Sequence, residues 1–119
     1  MFSEATWQHF RNPVYRGRLP DFNGEGWAGS RNNGVYIRIQ VRMQDDVVAE
    51  ARFETVGCLA SIATCQALLG WATSKSRDEV AQLTPARLDE LAGGLPAGRY
   101  YCLEMALHAI GRAMEQEAS

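Results

Sequence analysis

The chain has 119 residues, enough for one domain that buries its own core without staples. Its hydrophobic content of 46% is ordinary for a soluble globular protein, and a net charge of -2 argues against a general nucleic-acid binder. No apolar run approaches the roughly 20 residues that cross a bilayer, and three cysteines are too few, and odd in number, for a secreted disulfide framework.

The opening MFSEATWQHF carries acid and polar groups where a signal peptide needs a basic and then an apolar segment. A cytoplasmic protein is expected, whose cysteines are free thiols or metal ligands. Residues 3–11 read as a short helix, with Ser3 as N-cap and Glu4 in the first turn. Pro13 should end it, because the residue before proline avoids the helical region. Asn12 to Gly34 reads as irregular, with turn signals at Pro20, Gly24, Gly26, Gly29 and Asn32-Asn33-Gly34.

Val35 to Met43 alternates without fault, with Val35, Ile37, Ile39, Val41 and Met43 on one side. Tyr36, Arg38, Gln40 and Arg42 take the other, as in a half-buried antiparallel strand. Gln44-Asp45-Asp46 makes a turn. Val47, Ala49, Ala51 and Phe53 then alternate with Val48, Glu50, Arg52 and Glu54. A hairpin is expected whose polar face pairs Arg with Glu.

A helix should follow from Cys58 to about Thr73, with Cys58, Ile62, Cys65 and Leu69 as its apolar stripe. Ser76-Arg77-Asp78-Glu79 matches a capping box, and Thr84-Pro85 opens another helix that Gly93-Gly94 ends. The last helix runs from about Tyr100 to Gln116, with Cys102, Met105, Ala106, Ala109, Ile110 and Ala113 as its apolar stripe. Strands come first and helices after. The expected fold is therefore α+β, a small antiparallel sheet with helices packed on one face, in one domain over 1–119.

The stretch Val56 to Gln66, VGCLASIATCQ, places the Cys58 thiol at or next to the first turn of a helix. Unpaired backbone N–H groups and the helix dipole favour an anion there, so the thiol should ionise more readily than usual. The alternative is a small buried hydrophobe. Cys102 opens another helix just after Leu95-Pro96, and the two thiols could share a metal if the helix starts converge. Cys65 lies two turns from Cys58, about 10–11 Å along the helix, too far to share one metal directly. It reads as core. His108 and His9 read as surface residues.

His9 to Pro13 with Gly17, Leu19-Pro20-Asp21, and Ala51 to Cys58 followed by Ser61-Ile62-Ala63 together resemble the NifU/IscU-type iron–sulfur cluster assembly scaffolds. His9-Phe10-Arg11-Asn12-Pro13 with Gly17 is similar to the family's HFxNPRNVG opening, and Leu19-Pro20-Asp21 is similar to the segment that follows it. Ala51-Arg52-Phe53-Glu54-Thr55-Val56-Gly57-Cys58 resembles ARFxTxGC, and Ser61-Ile62-Ala63 resembles the SIA after it. Leu95-Pro96 before Cys102, then Ala106 to Ala113, is similar to the C-terminal helix. The resemblance covers nearly the whole chain, and ARFxTxGC…SIA is its specific part.

The resemblance implies a scaffold that binds iron or an iron–sulfur cluster, with zinc as a surrogate, or accepts sulfur. It implies a cysteine desulfurase and client apoproteins as partners. It places the site at Cys58 and Cys102, with Asn33 where the family has its first cysteine. Asn33-Gly34-Val35 stands for the family's CGD motif, so the first cysteine and the aspartate are absent. Tyr101 stands for the histidine before the last cysteine. Leu95 to Arg99 matches the family's LPPVK chaperone-recognition motif only in part. Two thiolates are short of the four ligands a cluster usually takes. Three readings follow: a scaffold that borrows ligands from a second subunit or glutathione, a sulfur acceptor using Cys58 or Cys102, or a metal-free interaction module.

Overall fold

The computed structural model describes residues 2–30 and 34–115. Its elements run in the order α1 (Glu4–Arg11), β1 (Gly24–Ser30), β2 (Val35–Gln44), β3 (Val47–Val56), α2 (Leu59–Ala72), α3 (Arg77–Ala81), α4 (Pro85–Ala92) and α5 (Tyr101–Glu115). The strands form one antiparallel sheet in the order β1-β2-β3. The α+β fold expected from the hydrophobic pattern is the fold observed.

β2 and β3 are joined at Asp45-Asp46, both at positive φ (54° and 64°). That backbone matches the twist of a two-residue hairpin, and aspartate tolerates it better than most residues. The register sets Arg38 opposite Glu54 and Arg42 opposite Glu50. Both pairs are ion pairs, as the polar face anticipates. The end of the hairpin departs from simple alternation. Arg42 pairs with Glu50 but Met43 pairs with Val48, so Ala49 is an extra residue. This bulge flips the parity of β3 and sends Val48, rather than Val47 or Ala49, into the core at 0% exposure.

The stretch expected to be irregular contains β1. Its inward positions are Gly24, Gly26 and Ala28, opposite Val41, Ile39 and Ile37. α5 lies directly across them. A Cβ on Gly26 would sit 2.5 Å from Ala113 N and 2.8 Å from Arg112 Cβ. These glycines are there to let helix and strand backbones touch, and the same residues hide the strand from a propensity reading.

α5 packs over β1 and β2, and α2 packs beside it against β3. α2 also contacts α1 and α4, so it is covered on all sides. Every residue from Ala60 to Leu69 is buried, and the single apolar stripe expected for this helix is wrong. Beyond α2, Ser3 caps α1 and also donates to Gly93 O (2.7 Å), while Thr6 Oγ1 donates to Ala92 O (2.7 Å). His9 Nε2 meets Leu91 O at 2.9 Å, which gives His9 the task of tying α1 to α4. The capping box at Ser76, the Thr84 cap with Pro85, and the left-handed Gly93 all occur as expected.

The segment before β1 covers the other side. Phe53 N donates to Tyr15 O and Gly17 N donates to Phe53 O, which extends the β3 edge. Leu19 N then donates to Gln40 Oε1, whose amide donates to Glu25. No helix of the described residues is long and apolar enough to cross a membrane.

Candidate functional site

Two helix starts, far apart in sequence, meet at the end of the sheet. β3 ends at Val56, and Cys58 is the N-cap of α2 in extended backbone (φ -97°, ψ 177°). The turn is fixed from both sides. Thr55 Oγ1 donates to Tyr36 O at 2.6 Å, and Ser61 Oγ donates back to Cys58 O at 2.8 Å. The second start is held by Leu95, which is buried and whose N–H donates to Asp89 Oδ1 at 2.7 Å. A 3-10 turn, Ala97–Arg99, then delivers Tyr101 and Cys102 as the first residues of α5.

Cys58, Tyr101 and Cys102 lie close enough for each to shift the ionisation of the others. Cys65 sits beneath them, fully buried and close enough to Cys102 for their charges to interact. So the structure brings Cys58 and Cys102 together and leaves Cys65 in the core. The pair is not equally open. Cys58 is half-buried, but Cys102 has 0% exposure. Position 102 falls on the inner face of α5 with Ala106 and Ala109, so the pair is approached from the Cys58 side.

The electrostatics divide the two thiols. Partial burial pushes Cys58 up, but the Ser61 and Ala60 amides, the Tyr101 hydroxyl and the Arg99 charge outweigh it. Its pKa ends below the ordinary value. The sulfur closes no full capping hydrogen bond, so this is the pull of amides aimed at it rather than a cap. Burial, then the neighbouring Cys58, push Cys102 up to about 12. Burial and then Cys102 push Cys65 higher still. Burial and the two sulfurs raise Tyr101, which therefore stays protonated at neutral pH and can donate.

Asn33 lies outside the described residues. Position 35 borders the site, since Val35 Cγ1 would lie 3.8 Å from a Cβ on Gly57. The sequence reading missed Arg99, and at Tyr101 it saw only a lost histidine ligand rather than a group that acts on the Cys58 ionisation. The available signal was their position, one and three residues before Cys102 at a helix start. The donor set is short. Among the described residues no three His, Cys, Asp or Glu side chains are placed to hold a metal together. Two thiols are half of the four ligands a cluster or zinc site takes, and a phenol suits neither metal well.

The family description NifU-like N terminal domain matches residues 1–117 of this sequence. The chain belongs to the NifU-like N-terminal domain family. Within it, the chain is similar to the iron–sulfur cluster assembly scaffold protein IscU 1 of Archaeoglobus fulgidus, 32% identical over 114 residues. That match covers 96% of this chain and 74% of the relative. It is also similar to the iron–sulfur cluster assembly scaffold protein IscU of Escherichia coli, 28% identical, over 95% of this chain and 91% of that one. Among solved structures, the N-terminal part of a NifU-like protein from Brucella abortus superposes with a TM-score of 0.74 at 17% identity. It covers 96% of this chain and 92% of that one, and at that identity it speaks for the fold alone. Membership in the NifU-like family agrees with the ARFxTxGC resemblance at Ala51 to Cys58.

Proposed function

We infer that this NifU-like chain serves iron–sulfur cluster assembly as a scaffold-like protein that receives iron or sulfur at the Cys58–Cys102 pair. One observation supports the reading: Cys58 and Cys102 stand at two helix starts close enough to shift each other's ionisation, and Cys58 is only half-buried. The scaffold names of its relatives support it. Soft thiolates suit iron, whereas the Tyr101 phenol and the Asn33 amide suit it poorly. The remaining ligands therefore come from outside the chain, either from a second copy or from a small thiol such as glutathione. A cysteine desulfurase is the expected sulfur source and client apoproteins the expected recipients. The protein holds cargo and is not an enzyme.

The metal-free interaction module is the competing reading, and the burial of Cys102 is what favours it. Anaerobic reconstitution with ferrous iron and sulfide separates the two. The scaffold reading expects iron and sulfide to be retained in a species larger than one chain, or one carrying glutathione. Retention should be lost in Cys58→Ala and in Cys102→Ala. A wild-type protein that retains neither iron nor sulfur in any form would leave the interaction module.

A further inference from the structure

We propose that the free edge of β1 is a docking site for an extended, acidic segment of a partner protein, which joins the sheet as an added strand. The reading does not depend on what the cysteines hold. The two edges of the sheet differ. β3 uses its outer edge within the chain: Phe53 bonds Tyr15 and Gly17, and Val48 bonds Lys75 and Ser74. β1 pairs with β2 alone, and among the described residues its backbone makes no other bond. The strand is seven residues long, Gly24–Ser30, and keeps register with β2 throughout. It carries no lysine, proline or bulge, the devices by which natural edges refuse another strand. Such an edge binds through main-chain hydrogen bonds, and the side chains beside it select the sequence.

The helix above β1 decides what can take the edge. α5 tracks the strand along its length: a Cβ on Gly24 would strike Ala113 O, one on Gly26 Ala109 O, and one on Gly29 the Met105 methyl. A second copy is thereby excluded. Paired β1 to β1, two copies would set their α5 helices about one strand spacing apart, roughly 5 Å, where packed helices need about 8–10 Å. A bare extended segment brings no such helix. The flanks of the edge give its chemistry. On the α5 side, Met105, His108 and Arg112 fall on one line, three and then four residues apart. His108 and Arg112 are exposed, and neither makes an ion pair among the described residues. Glu104 and Glu115 line grooves on the far side of α5, toward α4 and α3. On the outer face of the sheet, Glu25 is held by Gln40 (2.8 Å) and Arg38 (3.6 Å), and Trp27 is 50% exposed. A strand with carboxylates toward α5 and apolar side chains toward Trp27 suits both flanks. Ser30 pairs with Val35, which borders Gly57, so the edge ends beside the turn that carries Cys58.

The test titrates the full chain with an acetylated, amidated heptapeptide that alternates valine and glutamate, and reads backbone amide exchange by NMR. The proposal expects exchange to slow along Gly24–Ser30 and binding to weaken with added salt. The counterpart alternating valine and lysine should bind at least about tenfold more weakly. Arg112→Glu keeps the Cβ that lies over Gly26 and should reverse that preference. The acidic peptide N-methylated at its three central residues cannot donate from them to the edge and should lose binding. Protection elsewhere than β1, equal binding of the N-methylated peptide, or equal binding of the acidic and basic peptides overturns the proposal. So does no binding of the acidic peptide at about 1 mM. Protection of β1 in the peptide-free protein that grows with chain concentration would mark a second copy as the occupant and overturns it too.

Discussion

Tyr101 is the residue on which this site departs most from the family pattern. Where the resemblance places a histidine ligand, the chain has a phenol whose ionisation burial and the two nearby sulfurs push up, so that it stays protonated. Its hydroxyl is one of the groups that lower Cys58. Removing it in Tyr101→Phe should move the Cys58 ionisation up in pH. Alkylation of Cys58 by iodoacetamide should then slow near pH 7, where the thiolate fraction falls. It should converge with wild type above about pH 10, where both thiols are ionised. An unchanged pH–rate profile would remove Tyr101 from the site. In the native protein Cys58 should be the only cysteine modified, with Cys65 and Cys102 reacting only on unfolding, because both are fully buried. The cysteines and their motif could be read from the sequence. The contacts of Tyr101 and Arg99 could not, because they depend on how two helix starts are angled.

At the scale of elements, the packing of α5 on β1 is the contact least tolerant of change. A Cβ at Gly26 would meet backbone atoms of α5, 2.5 Å from Ala113 N, and backbone cannot yield as a side-chain end can. Gly26→Ala should cost about 1–3 kcal/mol in a urea melt. A loss below a few tenths would mean that α5 does not lie on the strand. Ser76→Ala removes the reciprocal cap of α3 and should cost about 1 kcal/mol by the same measurement. Wild-type stability in that variant would show that the box is ornamental. The alternation of Val35–Met43 and the caps at Ser3, Ser76 and Thr84 made most elements legible. β1 was hidden because glycine signals turns in isolation, and its strand role exists only with α5 above it. The bulge at Ala49 was hidden because a shift of one residue leaves no mark on so apolar a run as Val47 to Ala49.

Across the whole molecule, the sheet and α2 work as a frame that sets two helix starts side by side. The thiols are 44 positions apart in sequence but close enough in space to shift each other's ionisation. The same frame leaves their ligand set incomplete among the described residues. That incompleteness is the central claim, and zinc stoichiometry per chain, read by native mass spectrometry, tests it most directly. The parent should bind zinc weakly, or only in a species with two chains or an added thiol. The triple variant Asn33→Cys, Val35→Asp, Tyr101→His supplies a thiolate, a carboxylate and an imidazole suited to zinc. It should bind one ion per single chain. Equal tight binding of one ion per single chain by both proteins would contradict the account.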